Sequence, residues 1–370
     1  MSAAAQPGHH ALRGSAMKFP AAGDLVSVSA VTPTDAWAIG FNTEILHWNG
    51  GNWSRVNSSS PRAAVLNAVS ADSGSDAWAV GFYTRSTGSP AEHTLTEHWN
   101  GKAWSVVRSP VLGYLGTQLF AVTALSRNDA WAVGQYCAPQ RCFNSGVKSQ
   151  TLILHWNGIR WTRVTSPSPC GGNNSLAGVA AVSASAAWAV GSCTSATTAS
   201  TRPLLLRWNG VRWSAAMGPD LHTAVNYVSA VTGVSASDAW AVGDHYLADG
   251  LTQTTLILHW NGRTWSRVPS PDPGVRYNIL TGASAVSASD VWVTGFGGVG
   301  QGATLLILTL RWNGNTWSQV PNTAGAIAGP LAAVSADRPD DAWIVGPPMA
   351  TGCSCPLAIH WNGVRWSQSP

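Results

Sequence analysis

The sequence predicts an all-β protein, a seven-bladed β-propeller with four antiparallel strands per blade. Three observations carry that prediction. The 21 Trp of the 370-residue chain fall into seven triplets: Trp37, Trp48, Trp53; Trp78, Trp99, Trp104; Trp131, Trp156, Trp161; Trp188, Trp208, Trp213; Trp240, Trp260, Trp265; Trp292, Trp312, Trp317; Trp343, Trp361, Trp366. The first Trp of each triplet lies 12 residues after an aliphatic residue (Leu25, Leu66, Leu119, Leu176, Val228, Leu280, Leu331), and the second and third are always 5 apart. An Asn-Gly pair follows the second Trp in every triplet. A repeat of 41 to 57 residues holding several short strand-like runs is the mark of a radial β architecture.

The unit reads L-x-x-V-x-A-x-S-x-x-D-A-W-A-V-G, then a variable stretch, then L-I-L-H-W-N-G-x-x-W-S-x-V-P. Its apolar opening is strand a. D-A-W-A-V-G is strand b, alternating small Ala with large Trp and Val so that one face is bulky and the other flat, which lets neighbouring blades interdigitate. The turn between them carries Asp35, Asp76, Asp129, Asp238, Asp290 and Asp341, expected to accept backbone N–H groups in an Asx-type turn; blade 4 has Ala186 instead. L-I-L-H-W is strand c and W-S-x-V strand d, joined by Asn-Gly, two residues that tolerate positive φ. The Trp on either side of that turn are expected cross-strand partners. The repeats begin at strand a and end after strand d, so each blade is expected to be one contiguous repeat, the ring closing by packing of blade 7 on blade 1 without an interleaved strand. Residues 25–370 are read as the propeller and 1–24 as an unstructured leader or expression remnant.

Across residues 25–370 the repeat resembles that of photosystem II assembly-factor-like and Asp-box (sialidase-like) propellers. The resemblance implies fold alone. Those families place Asp-Gly-Gly-x-x-Trp where this chain has Trp-Asn-Gly-x-x-Trp (Trp48 to Trp53), and no catalytic residue carries over. The chain is also similar to Trp-rich bacterial repeat propellers.

Composition excludes several functions. Only 10% of residues are charged and the net charge is +4, with 18 of the 21 cations being Arg scattered singly. Phosphate neutralisation needs clustered cations, so no nucleic-acid partner is expected. No apolar run approaches the 18 or more residues of a membrane span. The first 24 residues lack the apolar segment of an intact signal peptide. No Gly-rich phosphate loop opens a helix, and no cofactor or metal is expected.

The repeats differ from one another on one side only. From the first to the second Trp the intervals are 11, 21, 25, 20, 20, 20 and 18, so length variation sits in the b–c loops. These loops and the d–a connections share one face of the disc, where function is expected. All six Tyr and all six Cys lie in or beside them. Locality pairs Cys137 with Cys142, Cys170 with Cys193, and Cys353 with Cys355; the last ring is short and strained, and a metal role is its alternative. Such staples imply an oxidising, secreted or extracytoplasmic setting, with the cytoplasm as alternative. The His preceding the second Trp (His47, His98, His155, His259, His360), replaced by Arg207 and Arg311 in two blades, read as scaffold.

The remaining His and the Tyr define an arc at the channel mouth. Asp244, His245 and Tyr246 sit in blade 5, beside Asp220, His222, Asn226 and Tyr227; Arg276, Tyr277 and Asn278 lead into blade 6. Tyr114 and Tyr136 of blade 3, with Tyr83, Arg85, Glu92 and His93 of blade 2, complete it. One reading is a solvated rim with a few packed aromatics. The other is a polar aromatic pocket for a glycan, small polar ligand or protein, bound by Tyr83, Arg85, His93, Tyr114, Tyr136, Tyr227 and Asp244 of a monomer. The alternative is an enzyme, a lyase or other proton-transfer catalyst, using His245, Tyr246, His222 and Tyr277 as acid and base and Arg276 to stabilise an anion.

Overall fold

The computed structural model describes residues 24–368 apart from 41, 86–90, 111, 113–115, 138–147, 199, 222–224, 275, 299–304, 322–325, 328–330 and 348–356. The expected leader thus lies outside the described residues but for Asp24. Among the described residues there is no helix, and hence none able to cross a membrane.

Seven antiparallel sheets form seven blades, each from four strands consecutive in the chain. Strands a are Leu25–Thr32, Ala64–Ser73, Gly116–Ser126, Asn174–Ser183, Asn226–Ser235, Tyr277–Ser287 and Ala333–Arg338. Strands b are Asp35–Gly40, Asp76–Thr84, Asp129–Cys137, Ala186–Thr194, Asp238–Tyr246, Asp290–Gly298 and Asp341–Gly346. Strands c are Glu44–Trp48, Glu92–Trp99, Ser149–Trp156, Thr201–Trp208, Gln253–Trp260, Leu305–Trp312 and Leu357–Trp361, and the short strands d start at the third Trp of each triplet. A two-residue strand, Ala326–Ile327, adds to strand c of blade 6. Strands a touch one another in a closed ring that includes blade 7 against blade 1, so they line the axis and the d strands form the rim. The expected closure without a shared strand is what the structure has.

Each blade grips the next through Trp. Trp240, on strand b of blade 5, meets Trp312 at 4.9 Å and stands edge-on to Trp317 at 5.3 Å and 85°, both on blade 6. The same three-ring contact recurs in blades 1, 2, 3 and 6, and Trp343 of blade 7 closes the ring on blade 1, meeting Trp48 at 5.0 Å and Trp53 at 5.1 Å. Trp188 of blade 4 shares a buried cluster with Trp260 and Trp265. All seven strand b Trp are at most 2% exposed. Nearer the axis a hydroxyl on strand a accepts a backbone N–H of the next blade: Ser29 from Ala71, Ser70 from Ala124, Thr232 from Ala285, Ser284 from Ala336 and Ser335 from Ala30.

The turn-forming Asp does something other than expected. It accepts the ring Nε2–H of the strand c His in its own blade, at 2.9 Å for Asp35–His47, Asp129–His155 and Asp238–His259 and 2.6 Å for Asp76–His98, with Asp341–His360 paired likewise. The His ring in turn stacks on the strand b Trp, 4.3 Å from Trp37 in blade 1. The reason is register: Trp37 lies opposite His47, so Asp35, two residues back on the same face, reaches the imidazole and not the backbone. The c–d turn also departs from expectation, since only its Gly takes positive φ (Gly262, +92°) while Asn261 Oδ1 accepts the N–H groups of Arg263 and Thr264. The flanking Trp do pair, Trp260 with Trp265. The Gly ending W-A-V-G is demanded by a close approach: a Cβ on Gly243 would lie 2.1 Å from the Tyr227 carbonyl oxygen.

Truncating Trp343 to Ala removes one ring from the closure, and the loss expected is about 3–5 kcal/mol. Denaturant melts measure it, with hydrogen exchange rising first in blades 1 and 7.

Candidate functional site

On the variable face the blades are pinned by buried Asn. Asn174, Asn226 and Asn278, at the starts of strands a in blades 4 to 6, each donate from Nδ2 to the carbonyl of the first strand c residue of the preceding blade: Ser149, Thr201 and Gln253, all at 3.4 Å. Asn278 also grips Gly274, donating to its carbonyl at 2.8 Å and accepting its N–H at 2.7 Å. Asn226 and Asn278, which the sequence placed in the arc, are thus ties between blades. They fix the connections that carry Tyr227, Arg276 and Tyr277.

The densest group of candidate residues lies at the junction of blades 5 and 6. Alternation along strand b puts Asp244 and Tyr246 on the face of Trp240, toward blade 6, and His245 on the other. Asp244 is fully buried, pairs in register with Tyr227 and Thr255, and accepts Gln253 Nε2–H at 2.9 Å. Phe82 and Phe296 occupy the corresponding place in blades 2 and 6. Burial, then the fields of Asp244, Tyr227 and Tyr277, push the Tyr246 phenol up to about 12. Its hydroxyl therefore remains a donor at physiological pH. His245 is 2% exposed, with Thr254 Oγ1 3.1 Å from Nδ1 and 3.2 Å from Nε2. Burial and Arg267 lower its pKa against the opposing pull of Asp272 and Asp244, so the ring is neutral at pH 7.

The loop beyond Tyr246 is ordered by Asp249. It accepts the Thr252 hydroxyl at 2.5 Å and the N–H groups of Leu251 and Thr252; these bonds, with Arg276, bring its carboxyl down to about 2. Arg276 itself is half-buried and its carbonyl accepts Gln253 N–H at 2.9 Å.

Three blades away, Tyr83 and His93 meet at 5.4 Å in blade 2, where burial and then Arg85 lower the His93 pKa. Glu92 accepts Gln118 Nε2–H at 2.9 Å, and Gln118 accepts Gln135 Nε2–H at 3.4 Å, a polar ladder from blade 2 into blade 3. Tyr136 is buried in the core between these blades, its hydroxyl donating to Gln150 and accepting from Arg163, whose guanidinium lies 4.3 Å over the ring. Its surroundings are those of a packing residue. Tyr114 and His222 lie outside the described residues, as do Cys142, Cys353 and Cys355. Among the described residues no group of three or more His, Cys, Asp or Glu is placed to hold a metal.

The expected Cys170–Cys193 disulfide is present, with Cα atoms 5.8 Å apart, tying the connection into blade 4 to the end of its strand b. Cys137 is also disulfide-bonded. Reduction of Cys170–Cys193, which closes a loop of 23 residues, is expected to cost about 3 kcal/mol. Comparing melts of Cys170→Ser/Cys193→Ser with the parent, both without reductant, measures this.

One buried acid escapes the sequence reading. Glu97 stands in strand c of blade 2 where other blades have Leu154 or Leu258, and it is fully buried. Ser58 and Ser60, in the connection from blade 1, donate to its carboxyl group. Burial outweighs these bonds and raises its pKa. A raised folded-state value means that Glu97 stabilises below the ordinary carboxylate range and that this stability is lost as pH rises through the folded-state value. Glu97→Gln should therefore melt higher than the parent at pH 7 and equal to it near pH 4.

No known family matches the chain, and no curated protein matches it by sequence. Solved structures do match by shape, among them a WD40 β-propeller domain. YCF48 bound to D1 peptide is 15% identical, with TM-score 0.53, over 89% of this chain and 91% of that one. The WD40 β-propeller domain of Doa1 is 10% identical, with TM-score 0.54, over 87% of this chain and 89% of its own. An ulvan lyase, of a polysaccharide lyase family and bound to -[GlcA(1-4)Rha3S]-, is 9% identical, with TM-score 0.51, over 96% and 97%. At such identities the likeness is one of fold.

Proposed function

We propose that residues 25–370 act as one ligand-binding propeller, whose variable face recognises a glycan or protein at the inner edge of blades 5 and 6. The observation that supports this reading is the buried carboxyl of Asp244, in register with Tyr227 and two residues before Tyr246 on the same face of strand b, with Tyr277 at the start of the adjoining strand a of blade 6. Tyr offers rigid, flat contact area at small entropic cost and a hydroxyl for orientation, the combination that binding surfaces favour. Tyr227 and Tyr277 belong to the innermost strands, which supports a site at the inner edge of the blades. Fold neighbours bound to D1 peptide or to -[GlcA(1-4)Rha3S]- are consistent with either ligand class.

A proton-transfer enzyme would need His245 and Tyr246 to reach one substrate atom. Their alternation to opposite faces and the burial of His245 favour binding over that chemistry. The Cys170–Cys193 disulfide favours an extracytoplasmic setting, and we read the chain as a monomer there.

Oligosaccharide and peptide libraries screened by calorimetry with product detection test the proposal. For the ligand found, Tyr246→Phe, which deletes one donor, should weaken binding about 3–10-fold, and Tyr277→Ala more, with melting of Tyr246→Phe unchanged. Turnover of any bound sugar, abolished in Tyr246→Phe with affinity retained, would replace this reading by the enzymatic one.

A further inference from the structure

Six blades place an acid two residues before the strand b Trp and a base directly across from that Trp on strand c, and the two are bonded. In blade 6 the base is an Arg. Arg311 Nε donates to Asp290 Oδ1 at 2.7 Å and Nη2 to Oδ2 at 2.8 Å, a two-pronged bond, while the guanidinium lies 4.5 Å from the Trp292 ring centre. Blade 4 keeps the Arg and lacks the acid. Arg207 holds the same register opposite Trp188, and the residue at the acid position is Ala186, a buried methyl group.

Arg207 is half-buried, and its Nε is buried with no hydrogen-bond acceptor among the described residues. The guanidinium lies 5.3 Å over the ring of Trp260 on blade 5. The corresponding acid of that next blade, Asp238, is taken by His259 at 2.9 Å. A guanidinium does not shed its charge, and a buried donor without an acceptor is costly, so the local chemistry calls for an anion of planar, two-oxygen shape.

We infer that Arg207, backed by Trp260 and without an acid at the Ala186 position of its own blade, binds a carboxylate supplied by another molecule, held by the guanidinium fork. The site is at the a–b turn end of blade 4, on the disc face opposite the proposed ligand site, and is independent of it. A carboxylate matches because the repeat itself uses one at this position in six blades. It comes either from a small free acid or from the C-terminus of a peptide.

The test uses the full-length protein with 15N-labelled Arg. Sodium acetate is titrated against sodium chloride at constant ionic strength while the Nε–Hε resonances are followed, that of Arg207 being assigned by its loss in Arg207→Gln. The resonance should move saturably with acetate. In Ala186→Asp the internal carboxylate should shift it beforehand, make it insensitive to acetate and raise the melting temperature. Calorimetry on Arg207→Gln, which keeps the polar stem, should show binding weakened at least tenfold and serves if Ala186→Asp does not fold. A short peptide with a free C-terminus binding tenfold more tightly than acetate, its C-terminal amide not binding, assigns the source to a chain terminus; equal affinity of peptide and acetate assigns a small acid. A resonance that ignores every carboxylate, that responds equally in Ala186→Asp, or that responds alike to the peptide and its amide overturns the proposal.

Discussion

The architecture of this molecule depends on one contact repeated around a circle: at six junctions the strand b Trp of a blade is seated against two Trp of the next. A four-stranded sheet cannot bury both of its faces alone, and a strand b that is apolar on both sides must find a partner on each. The three-ring contact supplies that partner and sets its angle, because edge-on and tilted aromatic pairs are favoured over parallel stacks and each contributes about 0.5–1.5 kcal/mol beyond the area it buries. The small residues alternating with Trp provide the flat surface onto which the neighbour closes. The Asp–His pair behind the ring then fixes the imidazole on which the Trp lies. Low overall charge follows from this arrangement, since most blade surface faces another blade.

The fold was legible because this contact leaves a periodic trace. Strand order, blade count, contiguity of each blade and the pairing of the Trp across the c–d turn all follow from spacing and alternation, which are local. The partner of the turn Asp was not legible in the same way. Asx-turn chemistry and an imidazole acceptor site make the same demand on one residue, and only the register of strand c against strand b decides between them. The Asn-Gly turn shows a similar limit: the sequence announces the turn, while the division of labour, Gly by its backbone and Asn by its side chain, belongs to the geometry.

The candidate site was legible in part. Asp244, Tyr246, Tyr227 and Tyr277 stand out in sequence as departures from the repeat, and the structure gathers them at one junction. His245 stands out equally but turns away, because neighbouring residues of a strand point to opposite faces. Asn226 and Asn278 belong in sequence to the arc, whether rim or pocket, yet they do for blade junctions what a backbone pair would do, a role visible only once strand c of the preceding blade is in place. Glu97 breaks the pattern too, and the signal was there to find: a Glu at a Leu position of a strand buried on both sides must bring its own partners, here Ser58 and Ser60 from the adjoining connection.

The closure of the ring has an outcome for chain connectivity. Many circular folds are locked by a strand borrowed from the far terminus, which makes one seam unlike the others. Here blade 7 meets blade 1 through Trp343, Trp48 and Trp53 and through the hydroxyl of Ser335, the same chemistry as at the junctions of blades 1 with 2, 2 with 3, 5 with 6 and 6 with 7. The seam between blades 7 and 1 is not privileged over those four, so the covalent break can migrate among them. A gene reopened at the d–a connection of blades 1 and 2, 2 and 3 or 6 and 7 and rejoined by a short linker between blades 7 and 1 specifies the same disc, with order of synthesis changed and architecture kept.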